Sequence, residues 1–150
     1  MSRTLRRFRP VRERKEQMKY MLMMHAPRAG WEKAGIATWP VEDLRAHIGF
    51  MHRMNKDLQA AGELVGAEGL ASAEHAKIVR SDSSGDPVVT DGPFAESKEF
   101  LAGYWIVDVE TPERAYEIAA RASAAPGPGG APLHLPIEVR EVMSGPPVEP

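Results

Sequence analysis

Cysteine is absent from this chain of 150 residues. That excludes disulfides, thiolate metal sites and a cysteine nucleophile. No apolar run approaches the ~20 residues that a membrane-spanning helix needs, so no membrane association is expected. Aromatic residues make up only 7% of the chain. They do not interleave with arginine as in an RNA-binding sheet. No Gly-rich nucleotide loop stands between a strand and a helix, and no serine sits in a nucleophile elbow. The five histidines are His25, His47, His52, His75 and His134. None forms an H-x-x-x-H pair, so neither a metal nor a cofactor is expected. His47 and His52 are five residues apart, about 140° around a helix, and do not share a face. What remains is ordinary for a globular chain: 43% apolar, 27% charged, net charge −2. The length fits one domain, and a cytoplasmic location is the default expectation.

Charge is unevenly placed. Residues 1–17 carry seven basic side chains against Glu13 and Glu16, a net +5, which leaves −7 for the other 133 residues. A basic arm of this kind binds nucleic acid or an acidic surface, serves as an organellar transit segment, or is simply a flexible extension ahead of a start at Met18. The last reading is favoured, and the acidic body makes nucleic acid an unlikely principal ligand. The expected division is a basic extension over 1–17, a domain over 18–143 and a tail over 144–150.

Lys19 to His25 reads as a strand, apolar at nearly every position from Tyr20 to Met24. A loop with Pro27, Gly30 and Gly35 follows. It holds Trp31 and ends at Trp39, two indoles able to wall an apolar pocket, an interface or the edge of the core. Pro40, Glu42 and Asp43 suit a helix start. Leu44, Ile48, Met51, Asn55 and Leu58 keep helical spacing and read as a core face, flanked by Phe50, Met54 and Ala61. Gly62 is a plausible C-cap. Strands are expected over Leu64–Leu70, Ala76–Arg80 and Val88–Thr90, the last two as a hairpin across a polar turn. Leu101–Val109 is the most apolar run. Thr111-Pro112-Glu113 opens a second helix with a hydroxyl cap and proline at its first position. A Pro/Gly loop containing His134 leads to a last strand, Ile137–Met143.

This order matches the split βαβ plan, which puts the first and third main strands in the middle of a sheet. Those strands are apolar on both faces, whereas Ile137 and Val139 alternate with Glu138 and Arg140. Two helices cover only one face of a sheet, so the other face needs a cover. A second copy is the simplest, and a homodimer packed sheet against sheet is expected; a heteromeric partner would satisfy the same physics.

The stretch Val88 to Glu99 organises the rest. Asp91-Gly92 is a turn dipeptide, with glycine expected to supply a positive φ. Pro93 cannot donate to a ladder, so the chain should leave its sheet there, with Phe94 anchoring the loop on the core. Glu96, Ser97, Lys98 and Glu99 then precede the apolar strand. Such a polar loop is either a solvated turn or a ligand site.

Asp91-Gly92-Pro93-Phe94-Ala95-Glu96-Ser97-Lys98-Glu99, followed by Ala102-Gly103-Tyr104-Trp105, resembles the signature of the DGPF group of YCII-related proteins. Met18 to Met24 resembles that family's first strand, and Ala61 to Leu70 the end of its first helix and the next strand. The resemblance covers about residues 18 to 143. It implies a ferredoxin-like α+β fold, with an inserted hairpin, that pairs into a dimeric α/β barrel. It implies no single activity. Some relatives are thought to use a His–Asp pair, including a dehydrochlorinase acting on chlorinated aromatics. Genes of others lie beside alternative sigma factors, which implies a transcription-linked, non-catalytic role as the alternative.

The candidate acid–base group is Asp91, with His25 at the end of a central strand as its prospective partner; the pair suits lyase or isomerase chemistry near neutral pH. A rim histidine bonded to backbone or water is the competing reading for His25. Glu96, Lys98, Tyr104 and Trp31 are the candidate ligand-binding residues. Tyr104 and Trp105 point to opposite faces of their strand, so at most one side chain lines a given pocket. The ligand itself is an unidentified small molecule.

Overall fold

A computed structural model describes residues 18–28 and 35–144. The expected extension over 1–17, Trp31 and residues 145–150 of the tail lie outside the described residues.

The apolar run at the start becomes β1, Met18–Pro27. Its side chains alternate: Tyr20, Leu22, Met24 and Ala26 are buried, whereas Met21, Met23 and His25 are only partly covered. Helix α1 spans Val41–Ala60, preceded by Pro40, with Glu42 and Asp43 in its first turn. It ends as a Schellman motif. Gly62 has φ +72°, its N–H donates to Gln59 O (3.0 Å), and Glu63 N–H donates to Leu58 O (2.9 Å). A Gly62→Ala variant is therefore expected to lose about 1 kcal/mol of stability, read as a lower urea midpoint at unchanged slope; an unchanged midpoint would contradict a φ-bearing role.

Strand β2 is Leu64–Gly69, and β3 (Lys77–Ser81) and β4 (Pro87–Asp91) form a separate hairpin. Strand β5 is Glu99–Val109, α2 is Pro112–Ser123 and β6 is Ile137–Glu141. Thr111 caps α2 as expected, its Oγ1 accepting from Arg114 N–H at 3.2 Å. The Arg114 guanidinium grips Glu63 (2.8 Å) and also reaches Glu117 (3.0 Å), tying the start of α2 to the corner after α1. Those hydrogen bonds, to Glu63 first and Glu117 second, raise the guanidinium's pKa further.

The main sheet runs β2-β5-β1-β6, all antiparallel. The first and third main strands are central, and the fold is α+β and ferredoxin-like with a hairpin inserted between β2 and β5. Both helices pack on one face. Leu22, Met54, Val107 and Val109 are the largest fully buried side chains there, joined by Leu58, Trp105 and Ile118. Among the described residues both helices lie on one side, and along the other side, the open face, Met21 pairs with Ile106 and Met23 with Tyr104, all four only partly covered.

Two bulges depart from simple alternation. Met24 pairs with Gly103 but His25 with Leu101, which leaves Ala102 as the extra residue. The parity of β5 flips there, so Phe100 is buried on the same side as Trp105. A second irregularity falls between Leu64 and Gly66, and Val65 is exposed.

Candidate functional site

The signature loop behaves differently from its sequence reading in two respects. The chain does leave the hairpin after Asp91, and the Gly92–Pro93 peptide is cis. Gly92, however, is not among the left-handed glycines. Glycine is needed there because of close approach: a Cβ would lie 3.3 Å from the Ala76 carbonyl carbon and oxygen, and Gly92 N–H donates to Ala76 O at 2.8 Å. Phe94 does not anchor the loop, being 63% exposed. Arg28 does so instead. Its guanidinium donates to Phe94 O (3.1 Å) and Ala95 O (3.0 Å), and its backbone N–H donates to Lys98 O (2.9 Å). The pairing of Pro27 with Glu99 brings the end of β1 beside the returning loop.

Asp91 and His25 each take another partner. The Asp91 carboxylate pairs with Lys77 across the hairpin and its side chain is 88% exposed. His25 Nε2 lies 3.0 Å from Glu138 Oε2, and the imidazole is 23% exposed. Both members of that second pair stand on the open face of the sheet, since β1 and β6 pair with Met23 opposite Glu138. Glu96 and Lys98 are exposed in the loop.

A sizeable concavity lies elsewhere. A cavity of about 630 Å³ separates α1 from the β2–β5 side of the sheet, within the ~300–1,000 Å³ typical of small-molecule sites. Trp105, Ala67 and Met24 form its floor. One side is α1, through His47, Ile48, Met51, His52 and Asn55, and the turn Ile36–Thr38 with Trp39 closes another. The stripe read as core therefore divides. Met54 and Leu58 are buried, whereas Ile48, Met51 and Asn55 face the cavity. The cavity spans a wide arc of α1, which is why His47 and His52, far apart around the helix, both border it. Of the candidate ligand residues, Tyr104 contributes to the wall beside Trp105. The Trp105 indole is the side chain on the helix side, because its Nε1–H donates to Asn55 Oδ1 at 2.8 Å; strand alternation turns the Tyr104 ring the other way.

Polar groups in the cavity are held in place. His47 Nδ1 lies 3.0 Å from Pro126 O, and the imidazole meets the Trp39 indole edge to face, 5.3 Å between centroids at 88°. Gly129 N–H donates to Asp43 Oδ2 at 3.1 Å. The Pro/Gly loop after α2 is thereby fastened to the start of α1. Among the described residues no cluster of three or more His, Asp or Glu suits a metal ion, and no helix is long and apolar enough to cross a membrane.

A ferredoxin-like sheet with a side cavity and a hairpin leading into a charged loop defines a broad α+β class. Sequence comparison narrows it. The model of the YCII-related domain matches residues 18–130, and the chain belongs to that family. It is also similar to an uncharacterised protein of Rhizobium meliloti (strain 1021), 27% identical over 103 residues that cover 69% of this chain and 82% of the relative.

Nothing in the local sequence marks His47, Asn55 or Trp105 as cavity residues. The nearest signal was Trp39, already noted as able to wall a pocket. A helical stripe looks the same whether its outer half meets a packed neighbour or a void.

Proposed function

We propose that this protein binds a small, largely apolar ligand in the cavity between α1 and the sheet, and that it does so as a homodimer. The cavity carries the first half of the reading: its volume suits a metabolite, Trp39 and Trp105 line it, and polar side chains, with His47 and Asn55 among them oriented by hydrogen bonds, interrupt a largely apolar wall.

Two observations support the second copy. Met21, Met23 and Ile106 are only partly covered on the face away from the helices. The β3–β4 hairpin exposes Val79, Val88 and Val89, although an isolated hairpin is at best marginally stable. Packing two copies sheet to sheet would cover the first and offer the hairpin something to lean on.

A catalytic reading rests on His25. Its carboxylate partner Glu138 supports acid–base chemistry on the face that a second copy would enclose. Asp91, the other acid–base candidate, has in its favour only its place in the signature loop; its ion pair with Lys77 is open to solvent. Glu96 and Lys98 share that loop. The transcription-linked alternative needs ligand binding without turnover and is served by the same cavity.

The test is titration with N-phenylnaphthylamine, a neutral aromatic fluorophore, against the native chain and a Met51→Trp variant that fills the cavity. Saturable binding to the native chain and an affinity lower by about tenfold or more in the folded variant are expected. Equal binding by both would place the fluorophore outside the cavity, and the cavity would cease to be the ligand site.

A further inference from the structure

Two side chains on the cavity wall have hydrogen-bonding roles that their partners fix. A carbonyl oxygen only accepts, so the contact between His47 Nδ1 and Pro126 O requires the proton on Nδ1. In the neutral imidazole, Nε2 is then an acceptor with a free lone pair. An indole N–H only donates, so the contact with Trp105 Nε1 fixes Asn55 Oδ1 as the acceptor. Its amide is therefore oriented, and Nδ2 retains two N–H donors. Among the described residues neither His47 Nε2 nor Asn55 Nδ2 has a hydrogen-bond partner. Both residues border the cavity. They are eight positions apart on α1, about 12 Å in rise and about 80° in azimuth. Met51 and His52 stand between them on the same wall, and Trp39 and Trp105 border the same cavity. The α1 wall thus offers an acceptor toward one end and a donor toward the other, in a cavity bordered by two indoles.

We infer that the ligand is an elongated ring compound with a hydroxyl, or another hydrogen-bond donor, at one end for His47 Nε2 and a carbonyl acceptor at the other for Asn55 Nδ2. The inference rests on the cavity being the ligand site. The ring follows from Trp39 and Trp105, whose flat faces suit one. The polar ends follow from desolvation. A ligand lacking either group would strip water from His47 or Asn55 and return nothing, so it binds more weakly than its volume suggests. The order of the ends is also set. A carbonyl presented to His47 Nε2 would meet a lone pair, and a carboxylate there would meet the same lone pair with a full charge. Simple acids are therefore poor ligands at the His47 end while the imidazole is neutral.

Four para-substituted benzenes separate these contributions by isothermal titration. Para-hydroxyacetophenone carries both groups, para-methylacetophenone only the carbonyl, para-ethylphenol only the hydroxyl, and para-ethyltoluene neither. The bifunctional probe is expected to bind about tenfold more tightly than either monofunctional one. Two near-isosteric variants then assign the ends. His47→Asn keeps an N–H for Pro126 O but loses the Nε2 acceptor; it should erase the preference for the hydroxyl and leave that for the carbonyl. Asn55→Asp keeps an oxygen for Trp105 but loses the amide donors; it should erase the preference for the carbonyl alone. Met51→Trp serves as the occupancy control. If Met51→Trp weakens all four probes but they bind alike, the cavity is the site and the inference about its polar ends is wrong. If Met51→Trp changes none of them, or none binds the native chain, the cavity reading itself falls and the inference with it.

Discussion

A Leu22→Ala variant is expected to lose about 2–5 kcal/mol of folding stability. Leu22 is fully buried in β1, between Trp105 on one neighbouring strand and Val139 on the other. Cutting it back removes apolar area and leaves a void. The void cannot collapse easily, because the β1 backbone is fixed by ladders on both sides, to β5 and to β6. Domains of this size are stable by only about 5–15 kcal/mol, so the loss is a large share of the total. A fall in Tm on the order of 10 °C follows, and thermal unfolding followed by circular dichroism reads it directly. A fall of a degree or two would mean that the central strand is not where the core is centred. The same truncation at Met23, on the opposite side of β1, should cost the isolated fold much less, because Met23 meets no helix.

An Ile106→Asp variant is expected to separate the proposed homodimer into folded monomers. Ile106 stands opposite Met21 on one side and Gly66 on the other, in the middle of the open face. A two-fold interface uses the same patch on both copies, so one substitution acts twice. At about 2 kcal/mol or more for each central apolar contact, two changes weaken association by about 4 kcal/mol. That is about a thousandfold in Kd. Sedimentation at micromolar concentration should shift from dimer to monomer while the far-ultraviolet spectrum is retained. An unchanged sedimentation coefficient would move any association surface away from this face. A monomeric native chain would remove the second copy from the proposal and leave the cavity reading untouched, since the cavity lies on the helix side.

Much of the architecture was legible because it follows from short-range physics. Thr111 and Pro112 start α2 through a hydroxyl and a missing N–H. Gly62 ends α1 because an αL residue is needed there. The alternation of Ile137 and Val139 with charged neighbours, against the doubly apolar β1 and β5, marks which strands are central. The signature loop showed the limit of such reasoning. Asp91-Gly92 looked like a left-handed turn, yet Gly92 is small because Ala76 crosses beside it, and Phe94 is held by its backbone through Arg28, 66 residues earlier in the chain.

By itself, then, the sequence determined the element order, the helix caps, the central strands and membership of a family, because each depends on residue type and local spacing. Tertiary structure alone decided what the site is made of. Ala102 bulges out of β5 and reverses its parity, α1 leaves a cavity along Ile48, Met51 and Asn55 beside Trp105, and the loop after α2 returns to orient His47. Those three events join residues dozens of positions apart. No local pattern records them, because the void they leave is a property of how elements pack rather than of any one of them.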